Sequence, residues 1–228
     1  HPNQESCLKM INDSQAKANN FLAEADWLLI TLGSAFVYEL AEGPVVANCH
    51  KVPTDKFNKR LLSVDEVVEL LCRMQEALFA FNPGIRIIYT ISPVRHLRDG
   101  FVENNRSKAT LIQAVHTLTD EKVFYFPAYE LVIDDLRDYR FYAEDMVHPN
   151  YAATNYVWEK FISACIDEAS QVLMKEIAVI VAARNHKPFN PSSEQHKRFL
   201  QANLEKLRKI KTLFPYINFE DEAAYFGA

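Results

Sequence analysis

Three short apolar runs, separated by stretches of helical period, constrain this chain more than any other feature. They are Trp27-Leu28-Leu29-Ile30-Thr31-Leu32, Ile85-Arg86-Ile87-Ile88-Tyr89-Thr90-Ile91 and Val123-Phe124-Tyr125-Phe126. The first is continuous and ends at Gly33, which predicts a buried strand of a parallel sheet rather than an alternating edge strand. Before it, Leu8, Ile11, Ala18, Phe21, Leu22 and Ala25 predict an amphipathic helix over residues 4–25. After it, a loop or hairpin is expected through residues 37–50. Ser63-Val64-Asp65-Glu66 then reads as a capping box, and Val67, Val68, Leu71, Met74, Leu78 and Phe79 repeat with helical period until Asn82-Pro83-Gly84 stops them. A polar stretch from Arg98 to Arg106 precedes a helix expected from about Ser107 to Thr119, and a short helix from Tyr129 to Leu136 follows the third run. Alternation of this kind implies parallel strands joined by right-handed crossover helices, an α/β sandwich. Such sheets carry their chemistry in the loops at the carboxyl ends of their strands. Those loops are residues 33–50, residues 92–106 and the segment leading to His148.

Beyond that segment a long helix, bent or interrupted, is expected from 151 to about 184, with a break from Asn185 to Pro191. A second capping box, Ser192-Ser193-Glu194-Gln195, opens an amphipathic helix through Phe199, Leu200, Leu204, Leu207, Ile210 and Leu213. The domain expectation is therefore an α/β domain over 1–150 and a C-terminal helical hairpin over 151–228, packed on the same domain.

Composition narrows the class of partner. With 228 residues and a net charge of -5, the chain lacks the basic excess of a nucleic-acid binder. Cys7, Cys49, Cys72 and Cys165 lie far apart with no C-x-x-C pair, which argues against a zinc site and gives no disulfide framework. The most apolar run, residues 172–181, is interrupted by Lys175 and Glu176 and is too short to span a bilayer. The chain begins His1-Pro2, with neither an initiator methionine nor a signal-peptide pattern, so the expectation is a fragment.

The chemistry concentrates in Asp145-Met146-Val147-His148-Pro149. A carboxylate three residues before a histidine can accept a hydrogen bond from the ring Nδ1 and leave Nε2 as a base toward a hydroxyl. The structural alternative is that Asp145 caps the helix beginning near Pro149. Gly33-Ser34-Ala35-Phe36 follows a strand, where backbone N–H groups can line an oxyanion hole and Ser34 can expose its hydroxyl. A plain turn is the alternative. In Asn48-Cys49-His50-Lys51, adjacent Cys49 and His50 side chains point apart, which favours substrate contact or loop structure over a cysteine nucleophile. Arg95 could bind a carboxylate or phosphate, or pair with Glu103 or Asp99 and hold its loop. A metal held by His50, His96 and His148 is a minority reading, because no pair has helical His-x-x-x-His spacing.

Residues 27–33, 47–53, 92–100 and 139–149, with the break at 182–190, closely resemble the bacterial GSCFA family. The resemblance covers nearly the whole chain. That family resembles the SGNH (GDSL-like) hydrolases, which implies a flavodoxin-like three-layer sandwich, a serine nucleophile after the first strand and an Asp-x-x-His pair after the last. Asp145 and His148 match that pair. Gly33 matches the glycine turn after the third strand, where many relatives place an oxyanion-hole asparagine two positions later. Ala35 stands there in this chain, and Asn48 is the candidate replacement. The Gly-Ser-Cys-Phe-Ala motif that names the family would lie upstream of residue 1 with the first two strands, so Ser34 is not taken as the nucleophile.

The implied function is an esterase or deacylase for a carbohydrate or other small polar ester. His148 is the base, Asp145 its orienting carboxylate, Gly33 and Ser34 the oxyanion donors, and Asn48, His50, Arg95 and His96 the substrate-binding residues. No cofactor, metal, nucleic-acid or membrane partner is expected. Self-association would use the C-terminal helices or an exposed sheet edge. The alternative is a non-catalytic ligand-binding or protein-interaction module on the same fold.

Overall fold

A computed structural model describes residues 3–41, 43–47, 49 and 51–227. In chain order it runs α1 (Gln4–Glu24), β1 (Trp27–Leu32), β2 (Phe36–Leu40), β3 (Val45–Val46), β4 (Phe57–Leu61), α2 (Val64–Phe81), β5 (Arg86–Ile91), α3 (Phe101–Thr117), β6 (Val123–Phe126) and α4 (Ala128–Glu130). After a π-helical turn, Leu131–Leu136, come α5 (Tyr151–Cys165), α6 (Glu168–Asn185), α7 (Glu194–Leu213) and α8 (Glu220–Phe226). The chain forms two compact units, one up to Trp158 and one from Glu159.

In the first unit the three apolar runs form a parallel sheet in the order β1, β5, β6. Strand periodicity turns Leu28, Ile30, Ile87, Tyr89 and Val123 to one face, where they meet Leu78 of α2 and Val115 of α3. β5 is the central strand, and Ile87, Tyr89 and Ile91 are fully buried. The Tyr89 hydroxyl accepts a hydrogen bond from the buried Gln75 amide at 3.1 Å, so the polar groups in this layer satisfy one another.

β1 departs from the expectation of a strand buried on both faces. It pairs with β5 alone, and its exposure alternates, with Leu29 54% exposed and Trp27 also outward. An uninterrupted apolar run predicts burial on both faces, but among the described residues nothing covers this second face at β1. Phe124 of β6, whose ring centroid lies 5.7 Å from that of Trp27, shares the outward face.

Residues 36–61 hold a small antiparallel sheet in the order β3, β2, β4. The hairpin β2–β3 falls where expected, whereas β4, with Asn58, Lys59 and Arg60 at its centre, is hidden in the sequence by its polarity. Arg60 donates to Glu39 at 2.9 Å and to Glu66 at 2.7 Å, and Glu66 completes the capping box with Ser63 at the start of α2. α3 starts six residues earlier than the sequence suggests. Gly100, with φ +81°, turns the chain sharply, and the polar stretch after it is the exposed face of the first helical turns.

At the opposite end of the sheet, Asn82 closes α2. Its amide donates to the Leu22 and Ala25 carbonyls at 3.0 and 2.9 Å, and its Oδ1 accepts from Gly84 N–H at 3.1 Å. Asn82→Ala is expected to lower stability by about 1–3 kcal/mol, because it strands carbonyls at the end of α1. Urea denaturation checks this, and an unchanged midpoint would show that water replaces the amide without loss.

In the second unit, helix α6 begins at a cap, Asp167, whose side chain accepts from Ser170 N–H. The expected interruption of the long helix is therefore at residues 166–167. Ser193 caps α7 by accepting from His196 N–H; with histidine at the third helical position, only half of a capping box forms. Ile180, Leu207, Ile210, Phe219 and Phe226 form the core. The last two belong to the segment of α8, which makes a three-helix cluster of the expected hairpin. Arg184 ties α6 to α8 through Glu222 at 2.8 Å.

Candidate active site

The segment after β6 folds back on itself. Ala143 N–H donates to the His148 carbonyl at 2.8 Å, Asn150 N–H to the Phe141 carbonyl at 2.9 Å, and Tyr142 bridges to Pro149. Met146, at φ +58°, makes the reversal. Asn150 caps the following helix, its Oδ1 accepting from Ala153 N–H at 3.1 Å. The capping alternative for Asp145 is thereby answered: the cap is Asn150, and Asp145 is left for the histidine.

Asp145 Oδ1 accepts from the N–H groups of Val147 and His148 at 2.9 and 3.0 Å, and its Oδ2 lies 2.6 Å from His148 Nδ1. The His148 N–H and imidazole, with Val147 N–H, hold the Asp145 carboxyl down to about 2. A carboxylate ionised throughout the imidazole range fixes the proton on Nδ1 and leaves Nε2 basic. The His148 side chain is 61% exposed, and its Nε2 has no hydrogen-bond partner among the described residues.

The turn after β1 is held from below by α3. Ala35 N–H donates to Ser107 Oγ at 2.8 Å, Phe36 N–H to Ser34 Oγ at 3.1 Å, and the two hydroxyls are 3.2 Å apart. Ser34 is thus a turn-forming hydroxyl engaged with Ser107. The N–H groups of Gly33 and Ser34 are the two in the turn without an acceptor among the described residues. Lys108, 1% exposed, donates to the Gly33 and Ser92 carbonyls, both at 2.6 Å, and so ties together the carboxyl ends of β1 and β5. Because a trans peptide sets C=O and N–H on opposite sides, drawing the Gly33 carbonyl toward Lys108 turns the Ser34 N–H the other way. Burial pushes the Lys108 ammonium down to about 8.

Residues 92–96 join these two parts. The His96 ring lies against the turn, its Nε2 3.8 Å from where a Cβ on Gly33 would stand, and its N–H donates to Asn104 Oδ1 at 2.9 Å. The Arg95 guanidinium stacks on Tyr142 at 4.4 Å and Tyr139 at 5.3 Å, the segment that leads to His148. Arg95 pairs with neither residue considered for it. Asp99 pairs with Lys59, and Glu103 with Arg106. His96 therefore lies against the Gly33 turn, and Arg95 against the Tyr139 and Tyr142 rings of the segment that leads into the Asp145–His148 loop. Asn48 and His50 lie outside the described residues. Among those residues, no three His, Cys, Asp or Glu side chains group as metal ligands, and Cys49 is a free thiol.

Ser107 and Lys108 escape a reading of the sequence, although a signal exists. Lys108 stands on the stripe that continues through Leu111, Val115 and Leu118, so the helical period places an ammonium where an apolar side chain is due.

Fold and site together define an α/β protein with a three-stranded parallel sheet, C-terminal helices and an exposed Asp-His pair after its last strand. Two family models match it: the GSCFA family over residues 1–161, and the GSCFA domain protein, C-terminal domain, over residues 177–228. The chain belongs to the GSCFA family. A search of curated proteins gives no match.

Proposed function

We propose that this chain carries the base and orienting carboxylate of an SGNH-like hydrolase, an esterase or deacylase for a carbohydrate or other small polar ester. The observation that carries the reading is the 2.6 Å contact between Asp145 Oδ2 and His148 Nδ1 on an imidazole whose Nε2 faces no protein partner among the described residues. In this reaction His148 Nε2 takes the proton of a serine hydroxyl as the oxygen attacks the ester carbonyl. It then returns the proton to the leaving alcohol, while Asp145 stabilises the imidazolium. The Gly33 and Ser34 N–H groups donate to the oxyanion. The fold in this reading is a flavodoxin-like three-layer sandwich, and the serine comes from outside residues 1–228, on strands added at the open edge of β1. Arg95 and His96 are the substrate-binding residues among those described, Asn48 and His50 are kept as substrate contacts on their sequence alone, and no cofactor takes part.

A fluorophosphonate label tests this on the gene product expressed from its own start codon. The expected result is a single labelled serine upstream of His1, with labelling lost in His148→Ala. Labelling at Ser34 would overturn the placement of the nucleophile. No labelling at all would favour the second reading, a non-catalytic ligand-binding or protein-interaction module on the same fold.

A further inference from the structure

A cleft of about 230 Å³ lies at the same end of the sheet, lined by Arg95, Asn104, Asn105, Tyr129 and Tyr139 among others. Arg95 is half-buried, and Asp99, Glu103 and Glu130 have partners of their own. Asp99 holds Lys59, Glu103 holds Arg106, and both oxygens of Glu130 accept from the Tyr125 hydroxyl at 2.8 Å. Among the described residues no carboxylate pairs with Arg95. A guanidinium stacked over two rings is held in one orientation and keeps its planar fork of donors, the geometry that matches a carboxylate.

A second observation comes from Tyr142. It is 8% exposed, yet its hydroxyl is buried with no hydrogen-bond partner among the described residues. Tyr142 is not on the cleft wall; its buried ring, stacked on Arg95 at 4.4 Å, fixes the guanidinium from behind. Tyr129 is on the cleft wall; burial and then the Glu130 carboxylate raise its hydroxyl, against the pull of Arg95, so that it stays protonated as a donor. One neutral O–H donor and one guanidinium thus share the cleft, with the Glu130 carboxylate acting on Tyr129 as well. That balance suits a monoanion of planar shape better than a phosphate dianion.

We infer that Arg95 and Tyr129, on the wall of this cleft, form a subsite for a carboxylate carried by the substrate away from its scissile ester bond, with the Tyr142 ring stacked against the guanidinium. The inference rests on the hydrolase reading for the nature of its occupant, but the binding itself does not. The substrate class is then an acidic ester, such as a hemiester of a dicarboxylic acid or an acylated sugar acid. The Tyr142 main chain is bridged to Pro149, so the ring on which Arg95 stacks belongs to the same folded-back segment as the base.

The test is a titration of the full chain with monomethyl succinate and, separately, inorganic phosphate, followed by NMR at the side-chain amides of Asn104 and Asn105. Monomethyl succinate should give a saturable shift. Arg95→Gln should weaken it by about 10–100-fold, the loss of a charge-assisted pair. Tyr129→Phe keeps the ring, removes the donor on the cleft wall and should weaken it several-fold, which guards against a folding defect in the arginine variant. His148→Ala should bind as the wild type does. Equal shifts in Arg95→Gln, no saturation in the wild type, or a preference for phosphate would overturn the assignment. If labelling by fluorophosphonate fails while succinate binding still depends on Arg95, the hydrolase reading falls and the carboxylate subsite stands. With labelling intact and succinate binding indifferent to Arg95, the subsite falls and the hydrolase reading stands.

Discussion

Replacing His148 with alanine is expected to lower kcat/KM of the gene product on an aryl acetate by roughly 10⁴-fold or more, with no change in melting temperature. The size follows from the role. The imidazole presents an Nε2, free among the described residues, to accept a hydroxyl proton, and Asp145 is already ionised and committed to Nδ1. The unchanged melting temperature follows from exposure: the ring touches little, while the loop is held by the His148 main chain through Ala143 and by Asp145 through the N–H groups of Val147 and His148. Asp145→Asn should lose activity by a comparable factor, because an amide can donate to Nδ1 and thereby favour the wrong tautomer. Steady-state kinetics with a thermal melt for each variant decides the matter. Full activity in His148→Ala would sink the assignment.

The second large effect is on Lys108. Lys108→Met is expected to destabilise the first unit by about 2–4 kcal/mol, since two buried carbonyls, those of Gly33 and Ser92, lose their donor at once. Activity should fall as well, through kcat more than KM, because the Ser34 N–H is no longer turned outward by its peptide. The pH dependence carries the sign of a buried cation. The folded state holds the Lys108 proton only to about 8, against an ordinary value of 10.5, so between those values the unfolded chain binds more protons and stability rises with pH. This gain is complete above the ordinary value and lost as pH falls through about 8. Lys108→Met should lack it. Urea midpoints of the two proteins across this range provide the measurement, and parallel curves would remove the ammonium from the account.

The parts of the fold legible in the sequence are those in which one force acts alone. The three apolar runs, the Ser63 cap and the Asn82 stop each report a local preference that the fold keeps. What stays hidden depends on partners distant in the chain. Lys59 and Arg60 make β4 look like a loop until Asp99, Glu39 and Glu66 are seen to receive them. The first turns of α3 read as a linker because their polar residues face solvent. Trp27 and Leu29 read as core because a sequence does not say which face of a strand will find a cover. The site divides in the same way. Asp145 and His148 stand three apart and announce each other, whereas Lys108 meets Gly33 only through the sheet.

β5 lies between two strands that are remote from it in the chain, pairing Leu28 with Ile87 on one side and Val123 with Ile87 on the other. Such contacts require large loops to close before any pairing energy is returned, so topology of this kind makes folding slow. Until β5 is in place, the Gly33 turn has no Ser92 beside it for Lys108 to grip, and the Arg95 loop has no position from which to reach Tyr142. The order of assembly is therefore built into the register: the end of the sheet that carries the candidate site acquires its shape only once β5 has docked. A change that delays the docking of β5 will appear as a longer-lived population in which this end is unformed, rather than as an altered site.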